Sequence, residues 1–304
     1  MRVALTSDLG LELDLASGNA FALLESLGLN PDSVGEISIQ AIRERLGLDK
    51  PLPQQYGIWL RDALQGDLGE STVTRQEIAP QVRERGWNTL QITIASLILT
   101  VLIGVPLGAI SAVYHGGFLD YISRIVAILG LSIPNFWLGT LIVTLPAIWW
   151  GWTPSTTWVG WTTDPVEHLQ LILLPASVLA VGSAAYISRI VRSSMIEALY
   201  SDYVRTARSK GLQERAVVFR HVMRNSMLVL LTVLGLQAGV LLGGAVVVES
   251  IFSVPGLGLM ASQAVLGRDY QTLQALIVLF AAWFITVQLI VDVAYAWVDP
   301  RIRY

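Results

Sequence analysis

The sequence predicts an all-α integral membrane protein, and three observations lead to that prediction. Hydrophobic residues make up 53% of the 304 residues and charged residues 14%, while the mean hydropathy is +0.58. These values lie outside the range of ordinary soluble domains. Five apolar runs each provide about the 20 residues that a helix needs to cross a hydrocarbon core about 30 Å thick. A single long charged segment, residues 197–225, is enclosed by these runs.

Residues 1–88 precede the apolar runs and are expected to lie outside the membrane. Residues 1–30 contain no apolar stretch long enough to cross a bilayer, and they lack the basic start and apolar core of a signal peptide. The acidic residues that interrupt them are Asp8, Glu12, Asp14 and Glu25. Residues 39–81 have a mixed pattern, with helical periodicity in residues 60–64 and with prolines and glycines between segments. This part is typical of a small capping lobe.

The predicted membrane domain covers residues 89–304 and contains five transmembrane helices. These are Leu90–Val113, Ile125–Trp149, Leu169–Ser188, Ser226–Val248 and Tyr270–Val291. Three prolines, Pro106, Pro134 and Pro175, lie within or near the ends of three spans. A proline in a helix leaves a backbone carbonyl group without its usual hydrogen-bond donor. Kinks are therefore expected at these positions.

The distribution of Lys and Arg predicts the orientation of the spans. The loop between the third and fourth spans carries eight Lys and Arg, the C-terminal segment DPRIRY carries two more, and residues 150–168 carry none. Because basic loops stay on the cytoplasmic side, the long loop and the C-terminus are expected there, and residues 1–88 on the other side. Five Trp residues are then expected in an aromatic belt at the outer membrane surface: Trp149, Trp150, Trp152, Trp158 and Trp161.

The predicted cytoplasmic loop, residues 189–225, contains a short amphipathic helix. Ile196, Tyr200, Tyr203 and Ala207 recur at steps of four, three and four, which places them on one helical face. Gly211 predicts the end of this helix, since glycine adopts the left-handed conformation at low cost. The composition alone fits equally well a solvated connector that lies on lipid headgroups.

The sequence offers no residues for catalysis, metal binding or cofactor binding. It contains no cysteine, and its three histidines, His115, His168 and His221, are not spaced as metal ligands. It has no glycine-rich phosphate loop with a lysine, so the chain is not expected to bind ATP by itself. Only Glu249 and Asp292 come close to the predicted membrane interior, each at a span end, which argues against an ion-driven carrier. The basic loop is interpreted as an orientation signal and not as a nucleic-acid site.

Small residues recur at helical spacing in the fourth predicted span. Gly235, Gly239 and Gly243 are four residues apart and share one face, and Gly104 and Gly108 repeat the spacing in the first span. Small residues let the backbones of membrane helices approach each other closely. The glycine face is predicted to serve either helix packing within the chain or an interface with another subunit.

The loop segments DYVRTARSKGL and RHVMRN resemble the cytoplasmic loop of permease subunits in binding-protein-dependent ABC importers of the dipeptide, oligopeptide and nickel group. The family pattern is Glu-Ala-Ala, three residues, Gly, nine residues and Ile-x-Leu-Pro. It aligns Arg205, Thr206 and Ala207 with the triplet, Gly211 with the glycine and His221 with the isoleucine, although the Glu and the Leu-Pro are not kept. The resemblance continues in the same order through GVPLGAISAV, LSIPNFWLG, GGAVVVESIFSVPGLG, GRDY and VDVAYAWVDPRIRY.

The resemblance implies the fold of a type I ABC importer permease, the first of two permease subunits that form a pore in the bacterial inner membrane. It implies three kinds of partner besides the lipid bilayer: a homologous second permease subunit, two ABC ATPase subunits that hydrolyse ATP, and an extracytoplasmic substrate-binding protein. The loop helix would dock on an ATPase subunit through Tyr203, Val204, Arg205, Thr206, Ala207, Lys210, Gly211 and Leu212. The substrate is left open between peptides, nickel and a related small solute, because selectivity in such systems resides largely in the binding protein.

The chain differs from the family at its N-terminal end. Family members begin with a further span that runs from inside to outside, and residues 1–88 contain no such span. A misassigned or truncated start is the preferred explanation, and a genuine variant that exports residues 1–88 is the other. Two other functions stay open. A stand-alone secondary transporter or channel would show paired intramembrane charges or an inverted repeat, and a membrane scaffold would only anchor a cytoplasmic partner.

Overall fold

The computed structural model describes residues 2–3, 13–14 and 50–298 of the chain. The chain divides into two compact units, Met1–Asp67 and Leu68–Tyr304. The domain boundary predicted after residue 88 therefore lies inside the second unit, within its first long helix. Residue 1, residues 4–12 and 15–49 of the predicted N-terminal region, and the C-terminal segment DPRIRY, residues 299–304, lie outside the described residues.

The first unit contains two short strands and a helix. Strands β1 (Arg2–Val3) and β2 (Leu13–Asp14) pair in antiparallel orientation. Helix α1 (Leu52–Leu64) has a proline in its first turn, where the N–H group that proline lacks would have no helical partner. This helix confirms the periodicity predicted for residues 60–64.

The second unit is built from helices joined by connections of four residues or fewer, except for residues 151–164 between α4 and α5. They are α2 (Ile78–Val113), α3 (Phe118–Ser132), α4 (Asn135–Trp150), α5 (Pro165–Leu199), α6 (Asp202–Ser209), α7 (Glu214–Ala216), α8 (Met223–Phe252), α9 (Leu257–Gly267) and α10 (Tyr270–Val298). A π-helical segment, Val217–Val222, joins α7 to α8 without a break.

Four of the described helices are long and apolar enough to cross a membrane, namely α2, α5, α8 and α10. They correspond to the first, third, fourth and fifth predicted spans, although α2 begins at Ile78 and not at Leu90, and α5 continues to Leu199. The second predicted span is two helices, α3 and α4, which are bent by 91° and form a broken span or a re-entrant segment. The chain is thus a multi-pass membrane protein.

Proline chemistry explains the break in the second span. Pro134 precedes α4, and the residue before it, Ile133, has an extended backbone at φ −86° and ψ 117°. A proline ring disfavours the helical conformation of the preceding residue, so α3 ends where it does. The kink predicted at Pro134 is confirmed, whereas Pro106 and Pro175 lie inside continuous helices.

Helix α5 lies at the centre of the second unit and packs against α2, α3, α4 and α8. Its closest neighbour is α2, because two glycines remove the side chains that would keep the backbones apart. A Cβ atom on Gly104 would lie 2.7 Å from the carbonyl oxygen of Ala184, and one on Gly108 would lie 2.8 Å from the Cβ of Val191. These glycines therefore serve packing within the chain.

The predicted glycine face on α8 is divided between two environments. A Cβ atom on Gly235 would lie 2.7 Å from Cγ2 of Val291, and one on Gly239 would overlap the ring of Phe284. Both glycines therefore let α10 pack closely against α8. Gly243 is exposed and has open space around it. Of the two predicted roles, packing within the chain applies to Gly235 and Gly239.

At the end of the bundle opposite α6, Asp269 joins the start of α10 to the loop before α2. Its carboxylate accepts hydrogen bonds from the Ser71 hydroxyl, from the Thr72 backbone N–H at 3.1 Å and hydroxyl at 3.0 Å, and from the Thr272 hydroxyl at 2.7 Å. Burial by itself would raise the pKa of Asp269. These donors outweigh burial and lower the pKa to about 2.

We expect Asp269→Asn to lower the free energy of unfolding by about 2 kcal/mol at neutral pH, because it removes charge-assisted hydrogen bonds. A carboxylate with a depressed pKa stabilises the fold above its ordinary value of 3.8, and this contribution is lost as pH falls through about 2. The difference between the two proteins, measured as thermal unfolding midpoints in detergent, should therefore shrink below about pH 4. Glu84→Gln, which alters an exposed carboxylate on α2, is the control, and an equal effect of the two substitutions would contradict the assignment.

Candidate functional site

The charged loop folds as a short helix that is fixed to the ends of the spans. Helix α6 has eight residues, and an isolated helix of that length is unstable in water. Two of its side chains anchor it: Val204 is 0% exposed and Ala207 is 6% exposed. They pack in one apolar cluster with residues of α2, α5, the π-helical segment and α8. The position of α6 is therefore tied to the spans by packing.

The prediction that Ile196, Tyr200, Tyr203 and Ala207 share one helical face is wrong. Helix α5 extends to Leu199 with Tyr200 as its C-cap, so the first two residues lie before a break and the last two after it. Tyr200 is 80% exposed and Tyr203 39% exposed. The spacing of these residues is regular, but it crosses a helix boundary. Within α6 the buried face is formed by Val204 and Ala207.

Gly211 ends α6 as predicted. Its φ of +77° lies in the left-handed region that favours glycine. The N–H of Gly211 donates to the carbonyl of Arg208 at 2.9 Å, and the N–H of Leu212 donates to the carbonyl of Ala207 at 3.4 Å. These two bonds form a Schellman motif, which fixes the direction of the chain after the helix.

An ion pair and a π-helical segment connect α6 with α8. Arg208 donates two hydrogen bonds to the carboxylate of Glu214, at 2.6 and 3.1 Å, and thereby bridges the turn at Gly211. The bond from Arg208 lowers the pKa of Glu214. Both side chains are exposed, so the pair contributes at most about 1 kcal/mol. The π-helical segment buries Val217, Val218 and Val222 against the same cluster as α6.

The eight residues predicted to dock an ATPase fall into two groups. Val204 and Ala207 face the chain's own spans. The other six are exposed on one loop: Tyr203, Arg205, Thr206, Lys210, Gly211 and Leu212. The loop therefore presents two apolar side chains, Tyr203 and Leu212, beside two positive charges.

A buried ion pair, which the sequence patterns did not reveal, lies at the same end of the bundle. Asp120 on α3 accepts two hydrogen bonds from the guanidinium of Arg192 on α5, both at 2.9 Å. It also accepts from the hydroxyl of Ser111 at 2.6 Å and from the N–H of Gly116 at 3.0 Å. Asp120 is 2% exposed and its partners satisfy both oxygens. This pair joins α2, α3 and α5 close to the start of the loop.

A second buried acid, Glu249, lies at the opposite end. One carboxyl oxygen accepts from the hydroxyl of Thr89 on α2 at 2.7 Å, and the other accepts from the N–H of Leu259 in α9 at 3.0 Å. Thr89 in turn accepts from the N–H of Leu257 at 2.8 Å. A Cβ atom on Gly256 would overlap the carboxyl group, so this glycine gives the acid room at the start of α9. The sequence signal was an acidic residue directly after the apolar run GGAVVV and before the glycines of VPGLG.

The five Trp residues predicted for an outer aromatic belt lie at the end of α4 and in the segment between α4 and α5. Trp149, Trp150, Trp152 and Trp161 are exposed. Trp158 is partly buried and, with Trp161, makes edge contacts with the ring of His168. The ring nitrogens of His168 lie 2.7 Å from the carbonyl oxygen of Val159 and 2.8 Å from Oε1 of Gln91. Among the described residues, His, Cys, Asp and Glu form no group of three that could hold a metal ion.

Comparison with known proteins identifies a family and two relatives that are similar to this chain. Residues 104–304 match the family described as the inner membrane component of binding-protein-dependent transport systems. The glutathione transport system permease protein GsiC of Escherichia coli is 41% identical over 266 residues, which cover 88% of this chain and 84% of the relative. A putative peptide transport system permease protein of Brucella abortus is 36% identical over 292 residues, which cover 96% and 91%.

Solved structures share the fold at low sequence identity. The inward-facing MetNI methionine ABC transporter matches with a TM-score of 0.58 at 19% identity, covering 72% of this chain and 96% of the other. An amino acid ABC transporter matches with a TM-score of 0.53 at 18% identity, covering 73% and 94%. The all-α permease fold is thereby confirmed. The chain belongs to the family of inner membrane components of binding-protein-dependent transport systems, and it is a permease subunit of an ABC importer.

Proposed function

We propose that the chain forms one half of the pore of an importer that is powered by two separate ATPase subunits. A homologous permease subunit would supply the other half, and an extracytoplasmic binding protein would deliver the substrate. The observation that carries this proposal is the mounting of α6: Val204 and Ala207 fix the helix to the spans, while the rest of its surface is exposed. Such a helix can transmit force from a partner to the spans.

The exposed residues of the loop form the proposed ATPase-docking surface, which we define as Tyr203, Arg205, Thr206, Lys210, Gly211 and Leu212. Tyr203 and Leu212 would enter an apolar groove of the partner, while Arg205 and Lys210 would lie at its rim. Val204 and Ala207 have a different role, because they hold the helix in place. ATP-driven closure of the ATPase pair would move α6, and the packed cluster would pass this movement to α2, α5 and α8.

The proposed orientation places the docking surface, and the C-terminus, on the cytoplasmic side. The eight Lys and Arg in residues 189–226, against three acids, support it, as does their absence from residues 150–168. The part of residues 1–88 that precedes α2, which begins at Ile78, would then be extracytoplasmic. The exposed Trp residues after α4 would lie at the outer surface.

The proposed substrate is a peptide or a solute of similar size. Two relatives that cover most of the chain are named for glutathione transport and for peptide transport, which supports a peptide more than nickel. The buried acids Asp120 and Glu249 do not favour an ion-driven transporter. Asp120 is neutralised by Arg192, and the carboxyl group of Glu249 accepts a hydrogen bond from the N–H of Leu259 in α9.

Reconstitution of the complete transporter tests this function and its coupling. We expect peptide uptake into liposomes only with ATP, the ATPases and the binding protein, and we expect Gly211→Val to reduce uptake and ATPase retention severalfold. Valine in the left-handed conformation costs about 1–2 kcal/mol and would shift Leu212. The matched control is Gly151→Val, because Gly151 also has a left-handed conformation and open surroundings but lies after α4. Uptake without ATPases would refute the proposed function, and equal effects of the two substitutions would refute the coupling.

A further inference from the structure

A basic pocket lies between α2, α3 and α5, at the α6 end of the bundle. Its volume is about 450 Å³, which is within the range of small-molecule sites. Its polar lining consists of three arginines and four serines: Arg124, Arg189, Arg192, Ser111, Ser123, Ser188 and Ser193. Leu107, Ala127 and Ile128 supply an apolar wall.

The pocket has a net positive charge because only one of its arginines is neutralised. Arg192 donates to the carboxylate of Asp120 in a bidentate ion pair. Among the described residues, neither Arg124 nor Arg189 takes part in an ion pair, and both side chains are exposed. Arg124 lies over the ring of Tyr121, with 5.8 Å between its Cζ and the ring centroid. Two guanidinium groups are thus available to an anion, and guanidinium forms strong bidentate bonds with phosphate.

The surface beside the pocket is apolar and exposed, which indicates that the anion carries hydrocarbon. Helix α3 exposes Phe118, Tyr121, Ile125 and Ile128, with exposed fractions between 56% and 78%. Aromatic residues next to basic residues are typical of the boundary between headgroups and hydrocarbon. Basic pockets between transmembrane helices on the cytoplasmic side are suited to anionic lipid headgroups.

We propose that this pocket binds the phosphate of an anionic phospholipid, with Arg124 and Arg189 as the phosphate ligands and the acyl chains along the exposed face of α3. The Asp120–Arg192 pair forms the floor of the site and holds α3 against α5. The choice of leaflet rests on the proposed orientation of the permease, but the presence of the site does not. A bound lipid would stabilise the arrangement of α2, α3 and α5 directly before the docking loop.

Native mass spectrometry of the purified complete transporter, titrated with phosphatidylglycerol, tests the proposal. We expect the double variant Arg124→Gln/Arg189→Gln to bind this lipid about tenfold more weakly than the unmodified transporter, as expected for the loss of charge-assisted bonds. The double variant Arg75→Gln/Arg83→Gln makes the same change in charge at two exposed arginines near the start of α2, at the other end of the second unit, and it should bind normally. Arg124→Lys/Arg189→Lys keeps the charge and should recover part of the affinity, which separates anion binding from misfolding.

Two further measurements show whether the bound phosphate belongs to a lipid or is a soluble anion. Phosphatidylcholine, which has no net charge, should bind more weakly than phosphatidylglycerol, and inorganic phosphate should not displace the bound lipid. Displacement by inorganic phosphate would mean a soluble anion site and would overturn the proposal. Equal lipid retention by both glutamine double variants would overturn it as well. Failure of lipid binding with intact ATP-driven uptake would leave the proposed function standing, so the two tests are distinguishable.

Discussion

Ala207→Glu should abolish substrate uptake while the spans still insert in the membrane. Ala207 is 6% exposed and packs among the apolar residues that hold α6, including Val204 and Met195. A glutamate there would bury an unpaired charge, which costs about 3 kcal/mol or more. That cost corresponds to a roughly hundredfold change in the equilibrium between attached and detached α6. Since α6 has only two buried side chains, Val204 would be the single buried side chain left to hold it.

Trypsin cleavage of membrane vesicles measures the attachment of α6 directly. Cleavage after Arg205, Arg208 and Lys210 requires local unfolding, and we expect it to be much faster in Ala207→Glu. The matched control is Ser209→Glu, which adds the same charge to the exposed face of the same helix. An Ala207→Glu transporter that is cleaved at the unmodified rate and transports normally would show that the buried face does not transmit the motion.

The turn after α6 was predictable from the sequence, whereas the buried face of the helix was not. Gly211 could be assigned because a left-handed residue is a local requirement that glycine meets best. Which side chains form the buried face depends on where the helix begins. The regular spacing of Tyr200, Tyr203 and Ala207 continues across the break at Ser201 and therefore does not show that boundary. Local periodicity therefore grouped Tyr203 with Ala207, whereas the residue that shares the buried face with Ala207 is Val204.

The spans show the same division between local and non-local information. Their number and order follow from hydropathy, and the break in the second span follows from Pro134. The 91° bend does not follow, because its direction depends on the packing of α3 against α5 and of α4 against α8. The helix ends were also misplaced, since α5 continues through charged residues that the hydropathy limit excluded.

The buried ion pair of Asp120 and Arg192 was the largest omission in the sequence interpretation. Asp120 and Arg192 are 72 residues apart, and no spacing rule connects them. Asp120 precedes Ile125, where the second span was predicted to begin, although it is the first-turn acid of α3. Pairs of this kind become visible only when the packing of the helices brings them together.

Glu249→Ala should destabilise the end of the bundle opposite α6 more than any other truncation at that end. At a site that is 0% exposed, the substitution would leave the N–H of Leu259 without its acceptor and the hydroxyl of Thr89 with only a longer bond to the carbonyl of Arg85 at 3.4 Å. A buried unsatisfied donor costs about 1–3 kcal/mol and the weaker bond of the hydroxyl adds to it, so the loss should total about 2–4 kcal/mol. Glu249→Gln should have an intermediate effect, because its amide keeps one acceptor oxygen and turns an N–H group toward the other donor.

Hydrogen exchange locates this loss, because the amides of Leu257 and Leu259 depend on the cluster of Thr89 and Glu249. We expect both amides to exchange roughly a hundredfold faster in Glu249→Ala, since a loss of about 3 kcal/mol changes the opening equilibrium by that factor. The control is Ser250→Ala, whose hydroxyl donates only to the carbonyl of Val246 in its own helix at 2.8 Å. Unchanged exchange at Leu257 and Leu259 would mean that Glu249 does not hold α9. Faster exchange with reduced uptake and normal ATPase retention would instead place the effect of Glu249 at this end of the bundle, separate from the proposed ATPase-docking surface.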